Sequence, residues 1–563
     1  MGHGVVLPGV TVIRASCPAV DFPGSRREHD AAAESGDAIA AADLSAAGVP
    51  PGMRLAADPR TRFIARGLVL VGGSPVRVLR LTPAGARQVT SWFAGMPVGQ
   101  DVGGRSLARR LLDAGIAHPY FSFPGGGSAA SGPGLADVTV VIPVRDRHAE
   151  LARCLAGVRD LPNVVVVDDA SADPSAIARI AGEHGAQVVH RAVNGGPGTA
   201  RNTGLAAVRT ELVAFLDSDC VPKPGWLDRL LPHFADPAVG AVAPRIAPLE
   251  RGGVGWLARY EGASSTLDRG SRPSIVRPGA RVSYVPGAAL VVRRSAAGDG
   301  FRNGMYVGED VDFVWRLGAA GWRVRYEPGA LMGHDHRIAF RSWFSRRADY
   351  GTSAAALEEL HPGAVRPFRA SWWTVGAWAA ALTGRPATAA AITATATVLL
   401  ARRLSRVTGE RWPVPDNSNW RNVSPRSARA SSTAENAADN GEKPRRFAFV
   451  PEGAAWRLAT RLAAGGTIAT ARPLGSAISR TWWPLAIPAA VAVPRLRLPV
   501  AALVLVPPLL DWVDRRPPLD PARYVAARLL DDAAYSIGVW QGCLARRTVR
   551  PLLPGIGGKR EPR

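Results

Sequence analysis

The middle of the chain alternates short apolar runs with stretches whose apolar residues recur at the spacing of a helix. The apolar runs predict buried strands at 137–146, 164–171, 187–190 and 211–217. The other stretches predict helices at 150–158, 175–184, 194–204 and 308–317. Strands that alternate with helices in this way indicate an α/β domain built on a doubly wound, mixed or mostly parallel sheet.

Acidic residues gather where these predicted strands end. Asp168 and Asp169 end one strand, and Asp217 and Asp219 follow another. Open α/β sheets bind ligands at the carboxyl ends of their strands, and carboxylate oxygens suit Mg²⁺ or Mn²⁺. A metal there can bridge a diphosphate and neutralise a departing nucleotide. An isolated Asp-x-Asp more often only ends a strand and caps the next helix, so the rest of the chain has to decide.

Two further features favour a nucleotide site at this edge of the sheet. A carboxylate at Asp168 or Asp169 can accept hydrogen bonds from a ribose or from the edge of a base. The glycine-rich turn at 195–198 frees backbone N–H groups near the start of a helix, and Arg201 adds a cation for phosphate. The clustering of these groups predicts a nucleotide site and not ordinary packing.

Two later motifs supply acidic and imidazole side chains. Glu309 and Asp310 begin a predicted helix. Either one alone is more often a partner of the helix dipole, but beside a metal–nucleotide site a carboxylate here is a good general base for an attacking hydroxyl. His334 and His336 end another apolar run. A single histidine is more often structural, although one at this place could complete the ligand shell of the metal.

Five motifs, in this order and spacing, carry a resemblance to a known family: Pro143-Val144 with Asp146, Val167-Asp-Asp-Ala-Ser, Ala200-Arg-Asn, Phe215-Leu-Asp-Ser-Asp and Gly308-Glu-Asp. Residues 137–350 resemble an inverting glycosyltransferase of family 2 with the GT-A fold. The resemblance implies a nucleotide-sugar donor, Mn²⁺ or Mg²⁺ as cofactor, and a single in-line displacement that inverts the anomeric carbon. The Gln-x-x-Arg-Trp motif of processive polysaccharide synthases is missing, which argues against long-chain polymerisation.

The family pattern also implies a role for each matching residue. It implies Asp310 as the base that deprotonates the acceptor hydroxyl, with Glu309 beside it as a second catalytic candidate. The implied metal ligands are Asp217, Asp219 and a histidine, for which His334 matches best and His336 second. The residues implied to bind the nucleotide sugar are Pro143, Val144, Asp146, Asp168, Asp169, Gly198, Arg201 and Asp217.

Residues 54–120 predict a small module ahead of the α/β domain. A strand pair turns at Gly72, and a helix starts at Pro83 behind its cap Thr82. A second helix is predicted at 104–114. Two strands and two helices of this size indicate a winged-helix-like module, which is either a small packing domain or a domain that recognises a peptide or DNA.

The module resembles the PqqD-like modules that recognise precursor peptides in ribosomal peptide modification. Such a module fused ahead of a GT-A domain, with an apolar helical tail behind, is similar to the glycosyltransferases of mycofactocin systems. That resemblance implies transfer of glucose from a UDP-glucose-type donor. The implied acceptor is a small molecule derived from a peptide, namely the redox cofactor mycofactocin or its precursor.

The C-terminal part of the chain is apolar and rich in proline. Its apolar runs, at 372–382, 386–401, 482–494 and 498–510, are each shorter than the roughly twenty residues that cross a bilayer. Arginines and tryptophans flank them, which suits the anionic cytoplasmic face of a membrane, while a soluble helical subdomain is the alternative. The predicted divisions are a disordered N-terminus (1–53), the winged-helix module (54–120), a linker (121–136), the α/β domain (137–350), an apolar helical region (351–412), a disordered insertion (413–447) and a membrane-associated helical tail (448–563).

The formal charge of +23 requires an anionic partner, but it does not indicate nucleic acid. The excess arginines are spread along the chain, and the helix after Pro83 offers only Arg87 as a basic recognition residue. Two alternatives remain open: transfer to a lipid-linked glycan of the cell envelope, or a non-catalytic protein that binds a peptide or DNA on a GT-A scaffold. Asp217, Asp219 and Asp310 weigh against the scaffold, which has no need of all three.

Overall fold

Three parts build the molecule: an N-terminal module, a central mixed sheet with helices on both faces, and a set of C-terminal helices. The computed structural model describes residues 5–7, 10–14, 48–64, 67–121, 132–249, 255–336, 338–409 and 454–557. The insertion predicted to be disordered at 413–447 lies outside these residues, and so does most of the predicted linker.

The N-terminal module contains seven strands and two helices. Five of the strands form one sheet, and the two helices pack on one face of it. Its strands are β1 (Val5–Leu7), β2 (Val10–Arg14), β3 (Arg54–Ala57), β4 (Arg62–Ile64), β5 (Val69–Gly72), β6 (Arg77–Arg80) and β7 (Ala117–Tyr120), and its helices are α1 (Pro83–Phe93) and α2 (Val102–Ala114). The sheet order is β1-β2-β6-β5-β4, while β3 pairs with β7. Thr82 caps α1 by accepting a hydrogen bond from the Gly85 N–H at 3.1 Å, in agreement with the predicted helix start.

The prediction of a disordered N-terminus through residue 53 is wrong in two places. β1 pairs with β2, and β2 adds to β6 as a parallel strand. Val49 is fully buried, and its N–H donates to the Arg105 carbonyl at 3.2 Å. Residues from outside the predicted module therefore complete its sheet and its core.

The central sheet carries the strand ends at which the sequence places the site. Its strands are β8 (Val138–Val144), β9 (Val164–Asp168), β10 (Gln187–His190), β11 (Leu212–Leu216), β12 (Cys220–Pro222), β13 (Val239–Pro248), β14 (Ser274–Ile275), β15 (Ala289–Arg293) and β16 (Arg323–His334). The order is β10-β9-β8-β11-β15-β13-β16-β12, with β14 beside β16. The first four strands are parallel, so their carboxyl ends meet at one edge, whereas β15 runs antiparallel between β11 and β13. The predicted mixed, mostly parallel sheet is confirmed.

Helices cover both faces of this sheet. They are α3 (His148–Ala156), α4 (Pro174–Glu183), α5 (Gly196–Ala207), α6 (Trp226–Leu230), α7 (Trp256–Ser264), α8 (Arg294–Ala297) and α9 (Glu309–Ala319), with 3₁₀ turns at Leu135–Asp137 and Leu231–Ala235. On one face α3, α4 and α6 bury Leu151, Ile177 and Leu230. On the other face α5 and α9 bury Ala200 and Phe313. Two apolar layers thus hold the strand ends in place.

The C-terminal part is a set of helices that begins inside the predicted α/β domain. The helices are α10 (Phe340–Leu360), α11 (Trp372–Leu382), α12 (Pro386–Gly409), α13 (Ala454–Ala469), α14 (Ala471–Ala477), α15 (Trp483–Ala492), α16 (Pro494–Arg515) and α17 (Pro521–Ala545), with a π-helical turn at Ile478–Trp482, a 3₁₀ turn at Arg550–Leu552 and paired strands β17 (Arg369–Ala370) and β18 (Gly555–Ile556). The predicted boundary at residue 350 is wrong, because the single helix α10 runs through it.

Helices α10 and α17 touch at their backbones through glycines. A Cβ on Gly351 would lie 2.1 Å from the Tyr535 carbonyl oxygen, and a Cβ on Gly538 would lie 1.8 Å from the Ala348 carbonyl oxygen. Ten residues of α17 are buried. Helix α17 is therefore packed into the folded core along one side, and the membrane association of 448–563 stays a prediction.

This contact predicts a large stability loss for Gly538→Ala. The added methyl cannot fit against the α10 backbone, so the helices must separate, and we expect the free energy of unfolding to fall by about 3 kcal/mol. The measurement is the melting temperature by scanning calorimetry. Gly466→Ala in α13 is the matched control, because its Cβ would meet nothing within 4 Å; it should leave stability unchanged or raise it. Equal melting temperatures for the two variants would contradict the backbone contact.

Buried ion pairs fasten the N-terminal module to the central sheet. Arg109 on α2 donates to both carboxylate oxygens of Asp236, at 2.7 and 2.6 Å, and the two side chains are 4% and 2% exposed. Arg323 at the start of β16 reaches Asp113 on α2 at 3.1 Å. The other face of the module's sheet packs against α12 and α13, where Leu404 is buried. Part of the apolar helical region thus covers the module.

Helix α16 passes, by length and composition, the test for a membrane-crossing helix among the described residues. It has 22 residues, and only 11% of its most apolar window is buried. The predicted apolar run at 498–510 was too short, because Pro499, Pro507 and Pro508 lie inside one continuous helix. One such helix, on length and composition alone, does not establish a span.

Candidate active site

A cavity of about 1740 Å³ lies at the carboxyl ends of β8, β9 and β11. The central sheet forms one side of its wall, and α10 and α17 contribute Tyr350 and Tyr535 to another. The sequence-predicted site residues on the wall are Pro143, Val144, Asp169, Arg201, Asp217, Asp219, Glu309, Asp310, His334 and His336. The strand order therefore brings most of the predicted site together.

Asp146 and Gly198 do not line the cavity, which corrects the prediction that they contact the donor. Asp146 has a left-handed φ of 54°, and its Oδ1 accepts the Ala172 N–H at 2.7 Å. A Cβ on Gly198 would lie 3.2 Å from Glu309 Cγ. Asp146 thus shapes the loop after β8, and Gly198 lets α5 approach the acidic motif.

Asp168 also lies behind the wall and not on it. Its side chain is 1% exposed, accepts the Ser171 N–H at 3.0 Å and lies 2.9 Å from the His190 ring nitrogen. Burial raises the pKa of Asp168, but the hydrogen bonds from Ser171 and His190 outweigh it and hold the pKa below its usual value. The prediction of direct donor contact is therefore corrected to a role in fixing the end of β9.

Asp169 lines the cavity, and its carboxylate holds the glycine-rich turn. Its Oδ1 accepts the Gly195 N–H at 3.0 Å and an Arg191 N–H at 2.9 Å, while Oδ2 accepts the Gly196 N–H at 2.9 Å. Gly196 has a φ of 80°, which favours glycine. Asp169 thus sets the shape of the turn, and its contact with a ribose stays a prediction.

Arg201 links the predicted metal carboxylate to the predicted base motif. Its guanidinium is 3% exposed and donates to Asp217 Oδ1 at 2.6 Å and to Glu309 Oε1 at 2.9 Å. Burial lowers the pKa of Arg201, but the two carboxylates outweigh it and raise the pKa above its usual value. The Arg201 charge is shared by two carboxylates and holds them in place, and its contact with a phosphate stays a prediction.

The two adjacent carboxylates at the start of α9 have different surroundings. Burial, together with the charge of Asp310, raises the pKa of Glu309 to about 7 against the opposing effect of Arg201. Asp310 is half-buried; its Oδ2 accepts the Gly287 N–H and its Oδ1 accepts the Val311 N–H, both at 2.8 Å. Two backbone hydrogen bonds therefore fix the orientation of the Asp310 carboxylate in the cavity wall, whereas the Glu309 carboxylate accepts a hydrogen bond from Arg201.

The raised pKa of Glu309 predicts that stability falls as the pH rises. Between the ordinary value of 4.5 and about 7 the folded state keeps a proton that the unfolded state has lost, so the free energy of unfolding decreases across this window. Glu309→Gln should remove that part of the slope in melting temperatures measured from pH 4.5 to 8. Glu183→Gln, at an exposed carboxylate on α4, should keep it. Parallel profiles for wild type and Glu309→Gln would contradict the prediction.

Asp219 and His334 form a candidate seat for a divalent cation. The pairing of β12 with β16 sets His334 opposite Cys220, so its ring reaches Asp219: Nε2 lies 3.5 Å from Oδ1. That Oδ1 is buried without a hydrogen-bond partner, and Oδ2 pairs with Arg147. Burial raises the pKa of Asp219, but His334 and Arg147 outweigh it and lower the pKa. An orphaned carboxylate oxygen facing an imidazole nitrogen fits a hard cation that completes its shell with phosphate oxygens.

His336 turns to other partners, which corrects its ranking as a second metal ligand. Its Nδ1 lies 3.8 Å from Glu261 Oε2, and Glu261 accepts hydrogen bonds from Trp343 at 2.8 Å and Arg347 at 2.6 Å. Burial, with His334 and Arg347, lowers the pKa of His336 to about 3. In the part of the chain that the structure describes, no three His, Cys, Asp or Glu side chains converge as a metal cluster.

Several cavity residues come from outside the predicted motifs: Arg147, Tyr284, Arg346, Arg347, Arg480 and Tyr535. Arg147 lies just past the first motif, so its position in that loop was a usable signal. Arg480 and Tyr535 come from segments interpreted as a tail. No spacing in the sequence connects these two residues with the strand ends.

The chain matches known proteins over its whole architecture. The family model described as "Glycosyl transferase family 2" matches residues 139–298. A pre-mycofactocin glycosyltransferase from Mycobacterium tuberculosis (strain ATCC 25618 / H37Rv) is 40% identical over 525 residues, which cover 91% of this chain and 100% of that protein. The chain belongs to the pre-mycofactocin glycosyltransferase family. It is a glycosyltransferase with a family 2 domain, so the predicted enzyme is confirmed and the non-catalytic scaffold is excluded.

Solved structures match at lower similarity. A mannosyltransferase from Pyrobaculum calidifontis in complex with GDP-Man and Mn²⁺ has a TM-score of 0.31 and 24% identity, covering 46% of this chain and 75% of that one. Glucosyl-3-phosphoglycerate synthase from Mycobacterium tuberculosis, with Mn²⁺, UDP-Glc and phosphoglyceric acid, has a TM-score of 0.31 and 20% identity, covering 42% and 85%. The family assignment rests on the sequence relatives and not on this likeness.

Proposed function

We propose that this glycosyltransferase moves glucose from UDP-glucose to pre-mycofactocin, a peptide-derived small molecule, with inversion at the anomeric carbon. The observation that carries the proposal is the 40% identity to a pre-mycofactocin glycosyltransferase across 91% of this chain. A match of this extent reaches well beyond the central sheet into the rest of the chain. The N-terminal module is proposed to assist in recognising the acceptor, on the strength of its resemblance to PqqD-like modules.

In the proposed reaction Asp310 takes the proton from the acceptor hydroxyl. The acceptor oxygen then forms a bond to the anomeric carbon as the bond to the nucleoside diphosphate breaks on the opposite side, which inverts the configuration. The Gly287 N–H holds the Asp310 carboxylate in place, and Arg201 keeps Asp217 and Glu309 in register. When bound, a Mn²⁺ or Mg²⁺ ion held by Asp219 and His334 would supply positive charge for the diphosphate.

We also propose that the enzyme works at the cytoplasmic face of the membrane. In support, α16 exposes apolar side chains such as Leu498, which is 79% exposed. Arg495 and Arg497 lie at its start and suit anionic lipid headgroups. We expect the full-length protein to sediment with vesicles that contain phosphatidylglycerol. Leu498→Asp combined with Val513→Asp should reduce the sedimented fraction, while Leu399→Asp on α12 serves as the exposed-residue control. Sedimentation unchanged by the double variant would count against this surface.

The decisive experiment is a transfer assay with purified full-length enzyme, Mn²⁺ or Mg²⁺, and a panel of UDP- and GDP-sugars. Pre-mycofactocin and a polyprenyl-phosphate-linked glycan are offered as acceptors, and mass spectrometry reads the products. Addition of a hexose to pre-mycofactocin is the expected result. Transfer only to the lipid-linked acceptor would indicate a role in cell-envelope synthesis instead. A product with retained anomeric configuration would refute the single displacement.

A further inference from the structure

Part of the cavity wall carries two tyrosines, each with an arginine against its ring. Tyr284 lies before β15, and the Arg269 guanidinium carbon is 3.9 Å from the centre of its ring. Tyr535 lies on α17, and the Arg480 guanidinium carbon is 4.3 Å from the centre of its ring. Both tyrosines face the cavity. An arginine stacked on a ring in this way restricts its motion and is itself stabilising.

Tyr284 is held next to the proposed base. On one side of it, the Ser283 carbonyl accepts a hydrogen bond from Trp315 Nε1 at 2.7 Å. On the other side, the Gly287 N–H donates to Asp310 at 2.8 Å. Both contacts go to α9, the helix that begins with the base motif. The segment that carries Tyr284 is therefore tied at both ends beside Asp310.

Tyr535 lines the same cavity as Tyr284. Burial raises the pKa of Tyr535, against the opposing effect of Arg480. Helix α17 is fixed at this place by its glycine contact with α10 and by Asp531, which lies 2.9 Å from Arg347 and accepts the Tyr260 hydroxyl at 3.0 Å. The position of Tyr535 in the cavity wall is therefore set by the fold.

We propose that Tyr284 and Tyr535 form the acceptor subsite, so that α17 decides which acceptor the enzyme takes. This inference rests on the proposed function. The acceptor it fits is a ring-bearing small molecule, because two fixed aromatic side chains bind flat rings by stacking and offer a phenol hydroxyl at the edge. An acceptor bound against these rings lies in the same cavity as Asp310.

A binding titration tests the subsite without requiring the natural acceptor. The full-length enzyme, loaded with UDP and Mn²⁺, is titrated with phenyl β-glucoside as a ring-bearing probe, and binding is followed by ligand-detected NMR. We expect Tyr535→Ala and Tyr284→Ala each to weaken probe binding about tenfold, with UDP affinity unchanged. Tyr535→Phe keeps the ring and should stay within about twofold of wild type. Tyr535→Leu, which keeps bulk but no ring, should behave as the alanine variant does.

Tyr524→Phe is the matched control on the same helix. Its hydroxyl is buried and lies 2.7 Å from Ser264 Oγ, away from the cavity wall. It should lower the melting temperature and leave probe affinity unchanged, which separates damage to α17 from loss of the subsite. Probe binding that is the same in wild type and Tyr535→Ala, or absent in wild type, would overturn the proposal.

Transfer to pre-mycofactocin by the wild type tests the proposed function separately. If wild type binds the probe and the alanine variants do not, but no hexose reaches pre-mycofactocin, the proposed acceptor is wrong and the subsite stands. If wild type transfers hexose and the alanine variants keep the wild-type KM for acceptor, the function stands and the subsite is wrong. A rise in that KM of about tenfold, with kcat less affected, supports both.

Discussion

Asp310→Asn should cut the rate of sugar transfer by about a hundredfold or more while leaving donor affinity almost unchanged. A positioned general base contributes a factor of this size, and the carboxamide cannot accept the proton of the acceptor hydroxyl. The substitution preserves the shape of the side chain, and its oxygen can still accept the Gly287 N–H. The expected result is therefore a chemical defect without a folding defect.

Two measurements on the same preparation test this expectation. Calorimetric titration with UDP-glucose and Mn²⁺ gives the donor affinity, and mass spectrometry of the product gives the transfer rate. Asp349→Asn is the matched control, because this exposed carboxylate on α10 lines the same cavity without contacts to the base motif. If Asp310→Asn loses donor affinity as strongly as turnover, the residue binds the donor and is not the base.

Asp219→Ala should abolish the dependence of donor binding on metal. The orphaned Oδ1 of Asp219 faces His334 and is the buried oxygen best placed to bind a cation. The same change releases Arg147 from its ion pair with Asp219. We expect the freed guanidinium to attract the diphosphate directly, so that a weaker affinity remains and is equal with and without Mn²⁺.

The test compares donor titrations in Mn²⁺ and in a chelator. Wild type and Glu150→Ala, which removes another carboxylate from the same wall, should both lose affinity when the metal is chelated. Asp219→Ala should give one curve under the two conditions. A variant that keeps the full difference between Mn²⁺ and chelator would show that the cation is held elsewhere.

The carboxylates at the strand ends were predictable because they depend on neighbouring parallel strands. β9, β8 and β11 lie side by side, so the residues after Asp168, Val144 and Leu216 must meet at one edge. The partner of each carboxylate was not predictable in the same way. Arg201 is six positions before the end of α5 and reaches both Asp217 and Glu309 only through the packing of α5 on the sheet.

His334 and His336 show where the two-residue alternation of side chains along a strand no longer applies. Residues two apart on a strand point to the same face, so a strand continued past His334 would leave His336 as the second candidate after it. β16 ends at His334, so the alternation ends there and His336 turns to Glu261. The end of a strand depends on its neighbours in the sheet, and the sequence does not contain that information locally.

The apolar C-terminal runs were the least predictable part of the chain. Apolar side chains on a helix look the same whether they face lipid, another helix or a sheet. In the structure α12 and α13 cover the N-terminal sheet, α17 packs on α10, and α16 leaves most of its apolar surface exposed. Gly351 and Gly538 mark the contact of α10 with α17, but their meaning requires a partner helix more than 170 positions away.

The ion pair between Arg109 and Asp236 restricts which substitutions related proteins can carry at these two positions. Each residue is buried and pairs with the other, so replacing one alone leaves an isolated charge inside the protein. A chimera that takes its N-terminal module from one family member and its catalytic domain from another would combine position 109 of one parent with position 236 of the other. If either parent lacks its half of the pair, the remaining charge would be buried alone. Positions 109 and 236 are therefore expected to change together among relatives.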